Sequence, residues 1–225
     1  IMAEDKTRLG LKPIPILNAE EFKHRVVEAY EDGSADLKLA ADADTARTLI
    51  PAGTGELRDF SYLATETPKL IMDKCVGCMD CVTQCPDTAI LAKVITEDSL
   101  EKQLDEQENL AEKERIQTHF VKTTKYYDVP KKKGQDGGLF GLFIDPTKCK
   151  GCAECVQVCD PHNALEMVTK EAETVVTYQK DLDAFNKMPG TPPEFINEKS
   201  LVDMMLSENS LLYKGGAGSC MGCGE

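Results

Sequence analysis

Tryptophan is absent, aromatic residues make up only 6% of the chain, and positive charge is scarce. Lys and Arg total 26 against 39 Asp and Glu, a formal net charge of -13, which argues against a protein that grips the phosphate backbone of a nucleic acid. No apolar run approaches the roughly 18 residues of a membrane-spanning helix. The nearest, Gly138 to Ile144, is far too short, so no membrane association is expected. A signal-peptide pattern is missing at the start, and the expectation is a cytoplasmic protein. No nucleophile–histidine–acid set, phosphate-binding loop or Gly-Asp-Gly diphosphate site is found, so bond-making chemistry has no visible place. Apolar residues are 41% of 225, slightly under the roughly 45–50% usual for globular chains. Something besides a large aromatic core must help hold this protein together.

Cysteine is what the chain has in plenty. Of ten, four lie between 75 and 85, four between 149 and 159, and two at 220 and 223. Cys75, Cys78, Cys81 and Cys85 recur as Cys149, Cys152, Cys155 and Cys159, each displaced by 74. Past the last cysteine the offset becomes 75: Pro86 matches Pro161, Ala89 matches Ala164 and Ile90 matches Leu165, so the second copy has gained Asp160. Each copy leads into a short apolar strand, and the duplication predicts two half-domains related by a pseudo-twofold axis. Glycine precedes the second cysteine of all three groups, as Gly77, Gly151 and Gly222. Lacking a side chain, it lets backbone N–H groups fold closely around an anionic sulfur site.

Thiolates spaced three apart converge on one centre, unlike the scattered cysteines of a disulfide framework. A zinc ribbon needs two separated Cys-x2-Cys pairs and has no use for a third cysteine three residues on. A [4Fe–4S] cube offers four iron corners; three close cysteines wrap three of them, and the taut loop cannot reach the fourth. Bacterial two-cluster ferredoxins carry this same run, and in them the last cysteine of each motif closes the other cluster. Carried over to this chain, that rule assigns Cys75, Cys78, Cys81 and Cys159 to cluster one, and Cys149, Cys152, Cys155 and Cys85 to cluster two. The fold expected is α+β: a two-[4Fe–4S] ferredoxin-like domain over residues 70–168, with a helical insert at 91–143 and extended arms at both ends.

Around this domain, residues 1–69 read as a docking arm. It contains a helix capped by Asn18, with Phe22, Val26 and Tyr30 on one face and Gly33 at its end. The charged stretch 97–117, with Leu100, Leu104 and Ala111 in a weak stripe, predicts one solvated helix. Pro130 to Gly134 predicts a basic turn. Residues 169–217 read as a linker marked by Pro189, Pro192 and Pro193, with one short helix at 200–206 capped by Ser200. His162, near Cys159, is expected at the surface, and His24 and His119 on solvated helices. Cys220 and Cys223 form only a pair, so any cluster they hold needs ligands from outside this chain.

The two motifs followed by Gly216-Ala217-Gly218-Ser219-Cys220-Met221-Gly222-Cys223-Gly224-Glu225 resemble the pyruvate:ferredoxin oxidoreductase family of 2-oxoacid oxidoreductases. In that family a two-cluster ferredoxin domain precedes a thiamine-diphosphate domain whose first cysteine pair ligates a third cluster. Here Gly218 and Ser219 intervene before that pair. The resemblance implies that 218–225 opens such a domain, with Cys220 and Cys223 holding part of a third [4Fe–4S] cluster. It also implies thiamine diphosphate with Mg, coenzyme A and the 2-oxoacid bound outside this chain, no complete catalytic site within it, an oligomeric complex, and ferredoxin as electron acceptor. An iron–sulfur subunit of another redox complex, such as a hydrogenase or dehydrogenase, is the alternative. Acidic partners repel one another, so Lys148 and Lys150 beside Cys149, together with Lys131, Lys132 and Lys133, are expected to form a basic exit surface.

Overall fold

A computed structural model describes residues 19–38, 59–107 and 109–207. Asn18, Gly222, Cys220 and Cys223 lie outside the described residues, as does everything from 208 onward.

Residues 66–169 build two small antiparallel sheets. Strand β1 (Glu66–Leu70) precedes the first cysteine motif and β2 (Ile90–Thr96) follows it. After β3 (Phe120–Lys122), strand β4 (Gly138–Ile144) precedes the second motif and β5 (Leu165–Thr169) follows it. The pairing is crosswise: β1 runs antiparallel to β5, with Leu70 opposite Leu165, and β2 runs antiparallel to β4, with Ile90 opposite Ile144. The strand leading into each motif therefore pairs with the strand leaving the other. The short helices that carry the third cysteines, Asp80–Thr83 and Glu154–Val158, pack against each other. The crosswise pairing involves the two halves alike, and β2 and β5 begin at the equivalent residues Ile90 and Leu165.

Strand alternation divides β2 and β4 between two cores. Ile90, Ala92 and Val94, with Phe140, Leu142 and Ile144, face the cysteine loops. Leu91 and Ile95, with Leu139 and Phe143, face the other way, against Leu100, Ile116, Leu182 and Phe185 from three helices. Residues expected to be insert at 91–143 thus include most of a central strand pair, buried on both faces. Only residues 97–137 make the excursion.

That excursion corrects the single helix expected over 97–117. Two helices form, Glu97–Asp105 and Leu110–Thr118. Thr96 caps the first by accepting from the Ser99 N–H, and Asn109 caps the second by accepting from the Ala111 N–H. A new N-cap this close to the end of the previous helix divides the run in two. The buried anchors are Leu100 and Ile116, whereas Ala111 is exposed. The basic turn is a one-turn helix, Val129–Lys132, continuing a π-helical turn over Thr124–Asp128.

A larger correction falls on the segment expected to be a linker, because it contains the longest helix described, Ala172–Lys187. Val175, Tyr178, Leu182 and Phe185 recur at intervals of three and four, the spacing of one helical face. Leu182 and Phe185 complete the second core. The Tyr178 hydroxyl donates to the Pro68 carbonyl of β1 at 2.9 Å. The short helix Leu201–Met204 follows; Asp203 within it and Leu206 just past its end are buried, while Met204 and Met205 are half-buried. Asp203 is held by the Lys125 ammonium and the Tyr126 hydroxyl.

His119 is not solvated as expected. Its ring stacks on Phe143 with centroids 4.5 Å apart, its Nδ1 meets the Leu142 carbonyl at 2.8 Å, and its Nε2 meets the buried Asp181 at 3.2 Å. Burial pushes the Asp181 carboxyl up, but hydrogen bonds and charge from His119 and Arg115 outweigh it and hold the carboxyl below its ordinary value. Separately, residues 19–31 form a helical run, Ala19–Phe22, Lys23–Val27 and Glu28–Glu31, the middle portion wound as π-helix. It ends at Gly33 with φ +72°, as expected, but Tyr30 is exposed and Ala29 is the residue buried. His24 is exposed and bonds Glu28 at 2.7 Å. Among the described residues no helix is long and apolar enough to cross a membrane.

Lys93 interrupts the apolar β2 and is 1% exposed. It lies on the helix-facing side of the strand, and its Nζ donates to the carbonyls of Phe185 and Met188, both at 3.0 Å. Those carbonyls belong to the C-terminus of the helix Ala172–Lys187, where a cation is favoured by the helix dipole. Replacing Lys93 by Met should cost about 3 kcal/mol, because buried carbonyls lose charged donors. Denaturant unfolding of the anaerobic protein checks this; a loss under about 0.5 kcal/mol would show that the ammonium carries no such weight.

Candidate cluster sites

Each cysteine loop must turn its backbone so that several sulfurs face one point, and the left-handed residues show how. Gly77 and Gly151 have φ of +71° and +70°. Two residues later Met79 and Ala153 are also left-handed, each immediately before the short helix carrying the third cysteine. After the fourth cysteine the left-handed pair is Thr88 and Asn163. The first two pairs are separated by 74 and the last by 75, so the extra Asp160 is absorbed within the turn. A left-handed conformation costs about 1–2 kcal/mol for a residue with a β-carbon. Its repetition at non-glycine positions in both copies marks a shape imposed by the surrounding loop.

The loops bound two separate cavities. Cys75, Cys78, Cys81 and Cys159 line one, together with Met79, Phe140 and Leu165. Cys85, Cys149, Cys152 and Cys155 line the other, with Pro68, Asp87 and Ile90. Each quartet takes three cysteines from one motif and the last cysteine of the other, and crosswise strand pairing is what brings that fourth residue over. Cys81, Cys85, Cys149, Cys155 and Cys159 are buried, Cys75 and Cys78 half-buried, and Cys152 exposed. All eight thiols are free of disulfides.

Burial disfavours the thiolate at five of the eight cysteines. It pushes Cys75 up to about 11 and Cys155 up to about 12, with neighbouring cysteines adding to the effect. Burial likewise raises Cys78, Cys81 and Cys85. Opposing this, backbone N–H groups point at the sulfurs: Gly77 at Cys75, Asp80 at Cys78, Val156 at Cys155, and Asp87, Ala89 and Ile90 at Cys85. The Ala89 N–H lies 3.2 Å from the Cys85 sulfur, and the buried Thr67 hydroxyl lies 3.8 Å from that of Cys149. Such donors suit anionic sulfur, yet four thiolates sharing a dry cavity repel one another. The donor set therefore fits a positively charged metal core that offsets the repulsion and displaces the protons. Among the described residues no three His, Cys, Asp or Glu side chains form a group that could hold a metal ion. A four-iron cube spreads its thiolates over four separate metals, wider than the tetrahedron around one zinc.

Two residues stand differently from their sequence expectation. His162 is half-buried and lines the first cavity. Lys148 is 8% exposed, and Lys150 pairs with the buried Asp87 at 2.7 Å. Both lysines line the second cavity; Lys148 is buried and takes no part in the outward-facing exit patch expected of it, whereas Lys150 is exposed. Lys131 pairs loosely with Asp136 at 3.7 Å and lies over the Tyr127 ring.

Residues 68–91, which run from β1 through the first motif into β2, match the 4Fe-4S binding domain family. Over longer spans the chain is similar to large redox enzymes. It is 27% identical over 181 residues to the pyruvate-flavodoxin oxidoreductase of Nostoc sp., covering 78% of this chain and 13% of that protein. It is also 27% identical over 203 residues to a probable pyruvate-flavodoxin oxidoreductase of Escherichia coli, covering 85% of this chain and 15% of that one. The mitochondrial pyruvate dehydrogenase [NADP(+)] of Euglena gracilis is 26% identical over 206 residues, 91% of this chain and 10% of the relative. The chain thus spans about an eighth of the length of the curated relatives it matches, and its resemblance to pyruvate oxidoreductases extends over most of its own length.

Proposed function

We propose that this chain is the electron-transfer part of a 2-oxoacid oxidoreductase, with pyruvate as the substrate acted on elsewhere in the complex. Residues 66–169 form a two-cluster ferredoxin-like unit. In this reading Cys75, Cys78, Cys81 and Cys159 hold one [4Fe–4S] cluster, and Cys149, Cys152, Cys155 and Cys85 hold the other. The gathering of eight sulfurs into two crosswise quartets is the observation that carries the reading. The N–H groups of Gly77, Asp80, Asp87, Ala89 and Ile90, aimed at sulfur, support it independently. The clusters supply one-electron transfer, and their potentials answer to hydrogen bonds, burial and local charge. Phe140, Leu142 and Leu165 wall the first cavity and would keep water from a cluster held there. Exposed Cys152 marks where the second cluster comes nearest solvent.

By resemblance, Cys220 and Cys223 contribute to a third cluster at the entry to a thiamine-diphosphate domain that also handles Mg, coenzyme A and the acyl group. Residues 1–65, which precede β1, serve as a docking arm within an oligomeric cytoplasmic complex. The external acceptor is a small low-potential carrier of the ferredoxin or flavodoxin kind.

Anaerobic preparation should yield a brown protein with about eight irons and about eight sulfides in the described unit. In the complex containing this chain, pyruvate with coenzyme A should bleach the clusters as dithionite does. Bleaching by dithionite alone would remove the 2-oxoacid assignment and leave an iron–sulfur subunit of another redox complex. An iron-free protein would remove both.

A further inference from the structure

The two cavities differ in charge. Lys148, Lys150 and Asp87 line the second, two cations against one anion. The first has Asp80 as its charged residue, with His162 and otherwise apolar walls. The buried Thr67 hydroxyl directed at Cys149 and the exposure of Cys152 act on the second quartet as well. Reducing a cluster adds one negative charge, so neighbouring cations, donors and water all favour the reduced form, and a neighbouring carboxylate opposes it.

We infer that Lys148 and Lys150 poise the cluster of the second quartet as the better electron acceptor of the two, giving the pair a downhill direction that ends at exposed Cys152. This rests on the proposed cluster assignment. It gives the lysines flanking Cys149 a different task from partner docking: Lys148 is too buried to meet a partner, and the Lys150 ammonium is already engaged by Asp87 at 2.7 Å. Asp87 works against the lysines from the same wall. The balance between them sets the potential.

The test is an EPR-monitored potentiometric titration of the full chain, prepared anaerobically, following the two cluster signals separately. Lys150→Gln should shift the one-electron reduction equilibrium of the higher-potential cluster by about tenfold toward oxidation, about 59 mV, and leave the other signal nearly still. Asp87→Asn should shift the same signal the opposite way, and Lys150→Arg should restore the original value. Lys148→Gln should act like Lys150→Gln; if its burial prevents assembly, the variants at exposed Lys150 and at its partner Asp87 decide alone. Opposite signs at two paired residues are something a general loosening of the loop would not produce. Equal shifts of both clusters, the same sign for Lys150→Gln and Asp87→Asn, or no shift at all overturns the inference while the clusters remain. A wild-type chain without clusters overturns it together with the proposed function.

Discussion

A chain carrying Cys78→Ala together with Cys159→Ala should retain one of its two clusters, whereas a chain carrying Cys152→Ala together with Cys159→Ala should lose both. The first pair lies on one cavity wall and the second pair is divided between cavities. Iron should fall from about eight to about four in the first case and to near zero in the second. Ligation within each motif would reverse these results, since Cys152 and Cys159 would then share a cluster. The measurement is iron per chain with the EPR spectrum of the reduced protein. The effect is the largest expected for any substitution here, because removing a thiolate leaves an iron corner without its ligand. The same logic predicts that Cys85→Ala with Cys149→Ala keeps one cluster.

Gly151→Ala should destabilise the protein by roughly 3 kcal/mol or more, and Gly77→Ala by about 1–2 kcal/mol, although the two glycines have nearly the same φ. The left-handed backbone penalises any β-carbon equally at both sites. The surroundings separate them. A β-carbon at Gly151 would lie 2.7 Å from the Glu66 carbonyl oxygen and 2.7 Å from the Ala64 β-carbon. Glu66 opens β1 and is paired with Thr169, so the clash falls on backbone already committed to a sheet. At Gly77 the nearest atoms are those of the Thr123 side chain, at 3.1 Å and beyond, so a shift of a few tenths of an ångström relieves the contact. Denaturation midpoints of the two variants, read alongside iron retention, check the order. A Gly77 variant weaker than the Gly151 variant would show that backbone contact with β1 is not what constrains the second loop.

Much of this was written in local sequence. Cysteine spacing, the glycine before the second cysteine and the shift from 74 to 75 all describe how a few adjacent residues bend, and bending of that kind is governed by nearest neighbours. The starts of β2 and β5 belong to the same class. Two omissions were also legible. Val175, Tyr178, Leu182 and Phe185 carry a helical stripe that the prolines downstream obscured, and Lys93 stands as a lone charge inside an apolar strand. What local pattern could not supply was which strand pairs with which. The quartets entered from sequence as a rule carried over from ferredoxins. Their gathering around two cavities depends on β1 meeting β5 across a gap of almost one hundred residues.

The sequence by itself determined the kind of chemistry, because thiolates three residues apart have few other uses, and it determined the turns that present them. Tertiary structure alone decided that His119 is buried against Asp181, that Lys148 faces a cavity and not a partner, and that Lys93 closes the end of a distant helix. Each of those outcomes depends on desolvation and on a contact partner far along the chain, and neither is encoded in the residues next door.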